Sequence, residues 1–198
     1  MFLKIRGISL RIISGNFAGR RILAPKGKGT RPTTDRFKET LFNIIENSLK
    51  ISLKDKYVMD LFAGSGSLGI EALSRGAKSC CFVDKAKQSI SAIENNLDNL
   101  GIISNCNLLN IDVNKLPKFR KNINEKIDII FSDPPYKDFK INNIAIDCLI
   151  SKGWAKDNTY LFLETSNNSL QKDISGFKII EDRKIGESSL KIYLKTRY

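Results

Sequence analysis

Apolar residues along this chain recur in short blocks whose period changes with position. From Leu10 to Ser14 and from Arg20 to Ala24 the chain is short-run apolar with polar interruptions, on either side of Gly15-Asn16-Phe17-Ala18-Gly19. Glycines bounding so short a connection predict the two strands of a hairpin. Pro25 to Pro32 reads as a loop with a basic tip. Thr33 or Thr34 can cap a helix running to about Leu49, because Phe37, Leu41, Phe42, Ile44, Ile45 and Leu49 fall on one side of it.

From residue 57 the rhythm becomes strand, loop, helix. Tyr57–Leu61 is a short apolar strand that ends in a glycine-rich loop, and a helix follows through Arg75. Ser79–Val83 is a second strand of this series, Ala86–Leu100 a helix with Ile90, Ile93 and Leu97 in register, and Cys106–Ile111 a third strand. Ile127–Phe131 is almost wholly β-branched or aromatic, as a strand covered on both faces should be. A helix near Asn142–Ile150 leads to a fifth strand at Tyr160–Glu164, and Phe177–Lys184 and Ser189–Lys195 flank Ile185-Gly186-Glu187 as a closing hairpin. Alternating βα units imply a parallel sheet with helices on both faces, and the closing hairpin adds one antiparallel strand. The fold class is α/β, a doubly wound sandwich with a mostly parallel sheet and a small N-terminal β-hairpin extension.

Composition narrows the function classes. At 198 residues, with 41% hydrophobic and 27% charged side chains, the chain suits one ordinary globular domain. No run approaches the roughly 18 apolar residues of a membrane span, and Met1-Phe2-Leu3-Lys4-Ile5-Arg6 has neither the apolar stretch nor the cleavage site of a signal peptide. Cys80, Cys81, Cys106 and Cys148 include no CxxC pair, which suits small buried hydrophobes in a reduced cytoplasmic protein better than disulfides or zinc. There is no histidine, so Ser-His-Asp and Cys-His chemistry and the commonest metal ligand are excluded. Catalysis has to come from carboxylates, hydroxyls, backbone groups or a cofactor, and no metal is expected.

Charge is placed unevenly. The net charge is +12, and ten basic side chains against Asp35 and Glu39 give residues 1–40 a charge of +8. A general lysine bias would scatter such charges, but six of the ten arginines lie in this first fifth of the chain. The guanidinium fork matches phosphate, so Arg11, Arg20, Arg21, Lys26, Lys28, Arg31 and Arg36 are candidate contacts to a nucleic-acid backbone.

Two loops carry the candidate chemistry. Asp60-Leu61-Phe62-Ala63-Gly64-Ser65-Gly66-Ser67-Leu68-Gly69 connects a strand to a helix, where glycines allow close approach of a ligand to the helix N-terminus. Gly64-x-Gly66-x-x-Gly69 equally fits a dinucleotide fingerprint. Asp84, 20 residues beyond Gly64, can accept from both hydroxyls of a ribose, which NAD and S-adenosylmethionine share. Asp112 lies where it could accept from an adenine amine or stand as an ordinary loop aspartate. Asp60, Phe62, Ala63, Gly64, Ser65 and Gly66 with Asp84, Lys85, Asp112 and Val113 are therefore the candidate cofactor contacts.

The second loop, Ser132-Asp133-Pro134-Pro135-Tyr136, decides between those cofactors. Two prolines straight after a buried strand fix φ and remove two N–H donors, leaving carbonyls at the strand mouth. An exocyclic base amine is a poor nucleophile because its lone pair is delocalised into the ring. Acceptors at both of its N–H bonds, the Asp133 carboxylate and the Pro134 carbonyl, can turn that lone pair toward a methyl donor. Tyr136 can stack on a displaced base, and Pro135 stiffens the turn.

Asp133-Pro134-Pro135-Tyr136 resembles the (Asp/Asn)-Pro-Pro-(Tyr/Phe) motif of amino-directed class I methyltransferases, and Asp60–Gly69 resembles their first cofactor motif. The stretches Arg11–Arg21 and Thr30–Asn43 resemble more narrowly the bacterial 16S rRNA (guanine(966)-N(2))-methyltransferases, and the likeness runs over roughly residues 10–195. The resemblance implies a seven-stranded sheet, S-adenosylmethionine as donor and N2 of a guanine in small-subunit rRNA as acceptor. It implies that Gly64 and Gly66 lie against the methionine end, Asp84 on the ribose, Asp112 beside the adenine and Asp133 to Tyr136 at the amine. That family usually has glutamate where Asp84 stands, and an acid where this chain has Ala86. On this reading residues 1–32 are a basic hairpin extension, residues 33–198 the S-adenosylmethionine-dependent methyltransferase domain, and the protein is a monomer acting on 16S rRNA or the assembling 30S subunit. Adenine-N6 or cytosine-N4 DNA methylation, an NAD-linked oxidoreductase and a non-catalytic RNA-binding module are the alternatives. The first lacks obvious room for a target-recognition domain, and the second leaves Asp133–Tyr136 without a purpose.

Overall fold

A computed structural model describes residues 10–25, 34–120, 125–134, 139–166 and 174–196. Lys26, Lys28, Arg31, Pro135 and Tyr136 lie outside the described residues.

The chain opens with β1 (Leu10–Arg11) and β2 (Arg21–Ile22), an antiparallel pair joining Leu10 to Ile22 and Arg11 to Arg21. These strands are shorter than the alternation predicts, and the cause is local. The Ile13 and Ser14 N–H groups donate to the Glu71 carboxylate, and the Leu23 N–H donates to the Asn96 side chain, so helix side chains replace the ladder. At the hairpin turn Gly15 has φ +82°, and a Cβ there would lie 2.0 Å from the Ser74 carbonyl oxygen. Only glycine lets the turn press so closely on a helix end.

Helix α1 (Asp35–Asn43) is capped by Thr34, whose hydroxyl accepts the Phe37 N–H, as the sequence leads one to expect. It does not continue regularly to Leu49. Ile44–Ser48 form a π-helical segment closed by the Leu49 N–H on the Ile44 carbonyl, which keeps Ile44 and Ile45 buried. Then follow β3 (Tyr57–Leu61), α2 (Ser67–Ser74), β4 (Ser79–Val83), α3 (Lys87–Leu100) and β5 (Cys106–Leu109). After them come β6 (Ile127–Ser132), α4 (Phe139–Ser151), β7 (Ala155–Ser166), β8 (Phe177–Ile185) and β9 (Ser188–Lys195). Strand β7 begins five residues earlier than the apolar run suggests. Asn158 takes φ +66° and the Thr159 hydroxyl bonds both the Lys156 N–H and the Ile127 carbonyl, so a bulge admits the polar stretch Lys156–Asn158 to the strand. Strand β5 ends two residues sooner than expected, and Asn110 instead donates to the Asp84 and Lys85 carbonyls.

The large sheet has seven strands in the order β5-β4-β3-β6-β7-β9-β8. Only β9 runs against the others, inserted between β7 and β8. Alternate residues feed two cores. Val58, Cys80, Phe82, Ile129 and Phe131 pack with α1, α2, α3 and the hairpin, whereas Met59, Leu61, Cys81, Val83 and Ile130 pack with α4 and the Trp154 region. Leu10, Ile12 and Ile22 belong to the first of these cores, so the hairpin shares the apolar interior of the sheet. All four cysteines are free thiols, and burial pushes those of Cys81 and Cys106 up to about 12, which leaves them neutral.

Candidate active site

Connections run outward in opposite directions from β3 and β6, so the crevice at their carboxyl ends is the switch point of the sheet. The register pairs Leu61 with Ser132. The glycine loop and the Asp133-Pro134 segment therefore leave neighbouring strands side by side, at a spacing of about 4.8 Å.

The glycine loop is held from within. Asp60 is buried on β3, and its carboxylate accepts the Gly69 N–H at 2.9 Å in the first turn of α2. Burial pushes the Asp60 carboxyl well above its ordinary value; the Gly69 bond opposes this, while Asp133 and Asp84 add to it. Three carboxyl groups thus act on one another across the strand ends. Phe62 is half-buried with φ +58°, Ala63 donates its N–H to the Val83 carbonyl, and Gly66, at φ +75°, caps α2. A Cβ on Gly69 would lie 2.3 Å from a Phe82 ring carbon, so that glycine serves helix-on-strand packing. A Cβ on Gly64 would meet nothing nearer than the Phe62 carbonyl oxygen at 3.8 Å. The open side of the loop is therefore at Gly64.

Asp84 follows β4. One carboxylate oxygen accepts the Gly64 N–H at 2.9 Å, the other the Ala86 N–H at 2.8 Å. Each oxygen keeps a further lone pair. Lys85 beside it is exposed. Asp112, half-buried, accepts the Asn114 N–H at 3.0 Å, and Val113 is buried. Asp84, Lys85, Asp112 and Val113 thus lie at the carboxyl ends of β4 and β5, joined by the Asn110 bonds. Asp133 is half-buried and Pro134 buried. Below them the Ser132 hydroxyl donates to the Asn142 side-chain oxygen at 2.8 Å, while the buried Asn142 side-chain nitrogen has no hydrogen-bond partner among the described residues.

The basic candidates divide. Arg11, Arg20, Arg21 and Arg36 are exposed. Arg11 pairs with Asp35 at 2.8 Å, and Arg20 donates to the Asn99 carbonyl at 2.6 Å in the last turn of α3. Lys38, a basic residue outside the candidate set, is fully buried, donating to the Arg11 carbonyl and facing Asp35 and Glu71; burial lowers its pKa, and the Glu71 and Asp35 charges oppose this. Sequence reasoning missed Glu71, Asn96 and Asn142. Glu71 left one signal, a lone acid in the otherwise apolar helix Ser67–Ser74; the two asparagines left none. Among the described residues no group of histidine, cysteine or acid side chains could hold a metal, and no helix is long and apolar enough to cross a membrane.

A doubly wound sheet of this order, with a glycine loop and an Asp-Pro loop on adjacent central strands, defines a Rossmann-like methyltransferase. The chain belongs to the family described as Conserved hypothetical protein 95, whose model matches residues 10–194. It is 33% identical over 188 residues to ribosomal RNA small subunit methyltransferase D of Haemophilus influenzae, covering 93% of each chain. It is 30% identical over 185 residues to the protein of the same name in Escherichia coli K12, covering 93% of this chain and 89% of that one. The Escherichia coli protein solved as "putative methyltransferase yhhF" superposes with a TM-score of 0.80 at 27% identity, over 95% of this chain and 98% of the other.

Proposed function

We propose that this protein transfers the methyl group of S-adenosylmethionine to the exocyclic N2 amine of a guanine in 16S rRNA. The observation that carries the reading is the Leu61–Ser132 register, which sets a cofactor-type loop directly beside an amine-orienting one. The relatives named as small-subunit rRNA methyltransferases support the substrate.

The residues present suit this cofactor. Gly64 leaves open space above the loop, and Asp84 holds spare lone pairs at the end of β4. Bound there, S-adenosylmethionine supplies a methyl group activated by its positive sulfur. Asp84 accepts from the ribose hydroxyls, and Asp112 with Val113 borders the adenine. Lys85, Phe62, Ala63 and Ser65 line the same end of the sheet, and Gly66 keeps the turn that brings Gly64 forward. Asp60 acts one step back, through its bond to Gly69. Asp133 and the Pro134 carbonyl each accept an N–H of the guanine amine, which aims its lone pair and disperses positive charge as the proton departs. Pro135 stiffens that turn, and Tyr136 stacks on the base. Arg11, Arg20, Arg21, Lys26, Lys28, Arg31 and Arg36 contact the RNA backbone, and the enzyme works as a monomer in the cytoplasm without metal.

Asp133→Ala tests the assignment. Methyl incorporation into 16S rRNA or 30S subunits should fall by about a hundredfold or more while cofactor affinity is retained. Undiminished turnover would remove Asp133 from its role. Incorporation into duplex DNA in preference to rRNA, with nucleoside mass spectrometry as readout, would overturn the substrate.

A further inference from the structure

A single carboxamide joins the exit of the N-terminal hairpin to the glycine loop. Asn96, on α3, is 3% exposed. Its side-chain oxygen accepts the Leu23 N–H at 2.8 Å, and its side-chain nitrogen donates to the Leu23 carbonyl at 3.0 Å. The same nitrogen donates to the Ser65 carbonyl at 3.2 Å. Asn96 therefore stands in for a neighbouring strand along Leu23 and spends its remaining donor on the cofactor loop. The Leu23 side chain is 54% exposed, so the residue is held by its backbone bonds rather than by packing.

Both ends of this bridge are poised to respond. Ser65 lies between Gly64 at φ +55° and Gly66 at φ +75°, whose N–H groups are tied to the Asp84 carboxylate and the Ala63 carbonyl, so a shift at Ser65 is passed on to Asp84. Leu23 follows the hairpin strand that carries the exposed Arg20 and Arg21. A buried amide whose partners shift loses bonds that water cannot replace. Displacement of Leu23 thus changes the energy of the Ser65 position, and the converse holds equally.

We infer that Asn96 is a positioning residue that couples contact of the RNA backbone with Arg20 and Arg21 of the hairpin to the shape of the cofactor loop. The inference rests on the RNA-methyltransferase reading. Two ligands that bias one shared element change each other's affinity by the same factor. Asn96 is 3% exposed and so closed to either ligand. It acts through Leu23 and Ser65.

The test measures the dissociation constant of S-adenosylhomocysteine for the full chain, alone and saturated with 16S rRNA, by calorimetry. In the wild type RNA should change that constant by about fivefold or more. Asn96→Ala should bring the ratio close to one, with rRNA and cofactor each still binding. Asn96→Asp serves as the second variant, because it keeps an acceptor for the Leu23 N–H and loses both donations. A residue that merely stabilised the fold would lower the melting temperature and leave the ratio unchanged. An unchanged ratio in both folded variants, or a wild-type ratio of one, overturns the inference and leaves the functional reading standing. A wild-type protein that binds S-adenosylhomocysteine but neither 16S rRNA nor 30S subunits overturns both.

Discussion

The Glu71 carboxylate accepts the Ile13 backbone N–H at 2.7 Å, across 58 residues of chain. Its other oxygen accepts the Ser14 N–H at 3.0 Å and the Arg75 side chain at 2.9 Å, and Glu71 itself is fully buried. This carboxylate is the reason the hairpin strands stop pairing with each other. It ties them to α2, the helix that starts at the glycine loop.

Removing it should therefore loosen the N-terminal segment before the sheet. Glu71→Ala leaves the part-buried Ile13 and Ser14 N–H groups without their acceptor and Arg75 with Glu46 alone, a loss of about 3 kcal/mol. Limited proteolysis should cut within residues 10–25 much faster than in the wild type, with the sheet still resistant. Equal cleavage rates would show that the apolar packing of Leu10, Ile12 and Ile22 suffices.

The glycines of the loop should separate in their effects. Gly69→Ala forces a Cβ into Phe82 and Cys80 and should cost about 1–3 kcal/mol in denaturant unfolding. Gly64→Ala meets open space and should cost only the strain of its positive φ, about 1 kcal/mol, while weakening cofactor binding disproportionately. Calorimetric titration of both variants checks the contrast. Equal losses of affinity per unit of stability would erase it.

Asp60 gives a pH dependence with a definite sign. Its folded pKa lies well above the ordinary 3.8, so between those values the folded state holds a proton that the unfolded state has released. The Asp60 contribution is therefore most favourable below about pH 4 and is lost as pH rises through the folded value. Asp60→Asn, which keeps an acceptor for Gly69, removes this dependence. The melting temperature of the variant relative to wild type should climb as pH rises above about 4. A constant difference would mean Asp60 titrates normally.

Phosphate binding by the exposed arginines is read from salt. Arg21→Ala and Arg36→Ala should each lower the slope of log affinity for 16S rRNA against log salt by about 0.7 to 0.9 for every phosphate left without its cation. Arg11→Ala should change it less, since that guanidinium is shared with Asp35. Identical slopes for all four proteins would place the RNA elsewhere.

Much of the sheet was legible because its strands are covered on both faces. Tyr57–Leu61 and Ser79–Val83 match their apolar blocks residue for residue, and β6 exceeds its block only by Ser132. Errors fell where polar side chains substitute for backbone partners. Glu71 and Asn96 shorten the hairpin strands, Asn110 shortens β5, and Thr159 lengthens β7 through a bulge. Both halves of the crevice were visible from motif order, because β3 and β6 lead straight into glycine- and proline-rich loops. The arrangement beneath them, Asn142 under Ser132 and Asn96 under Ser65, depends on bonds made across 10 and 31 residues. Periodicity carries no information about such pairs.

Among the described strands, β8 hydrogen-bonds only to β9, which follows it in the chain and slots in beside β7. During synthesis β8 therefore emerges before that partner exists, and the flank of β7 stays bare until Ser188–Lys195 arrive. A chain halted near Ile185 would present unsatisfied strand edges to its neighbours on the polysome. Lys178 and Lys184 stand exposed along β8, and solvated charges of this kind blunt a bare strand edge against pairing with another chain during that interval.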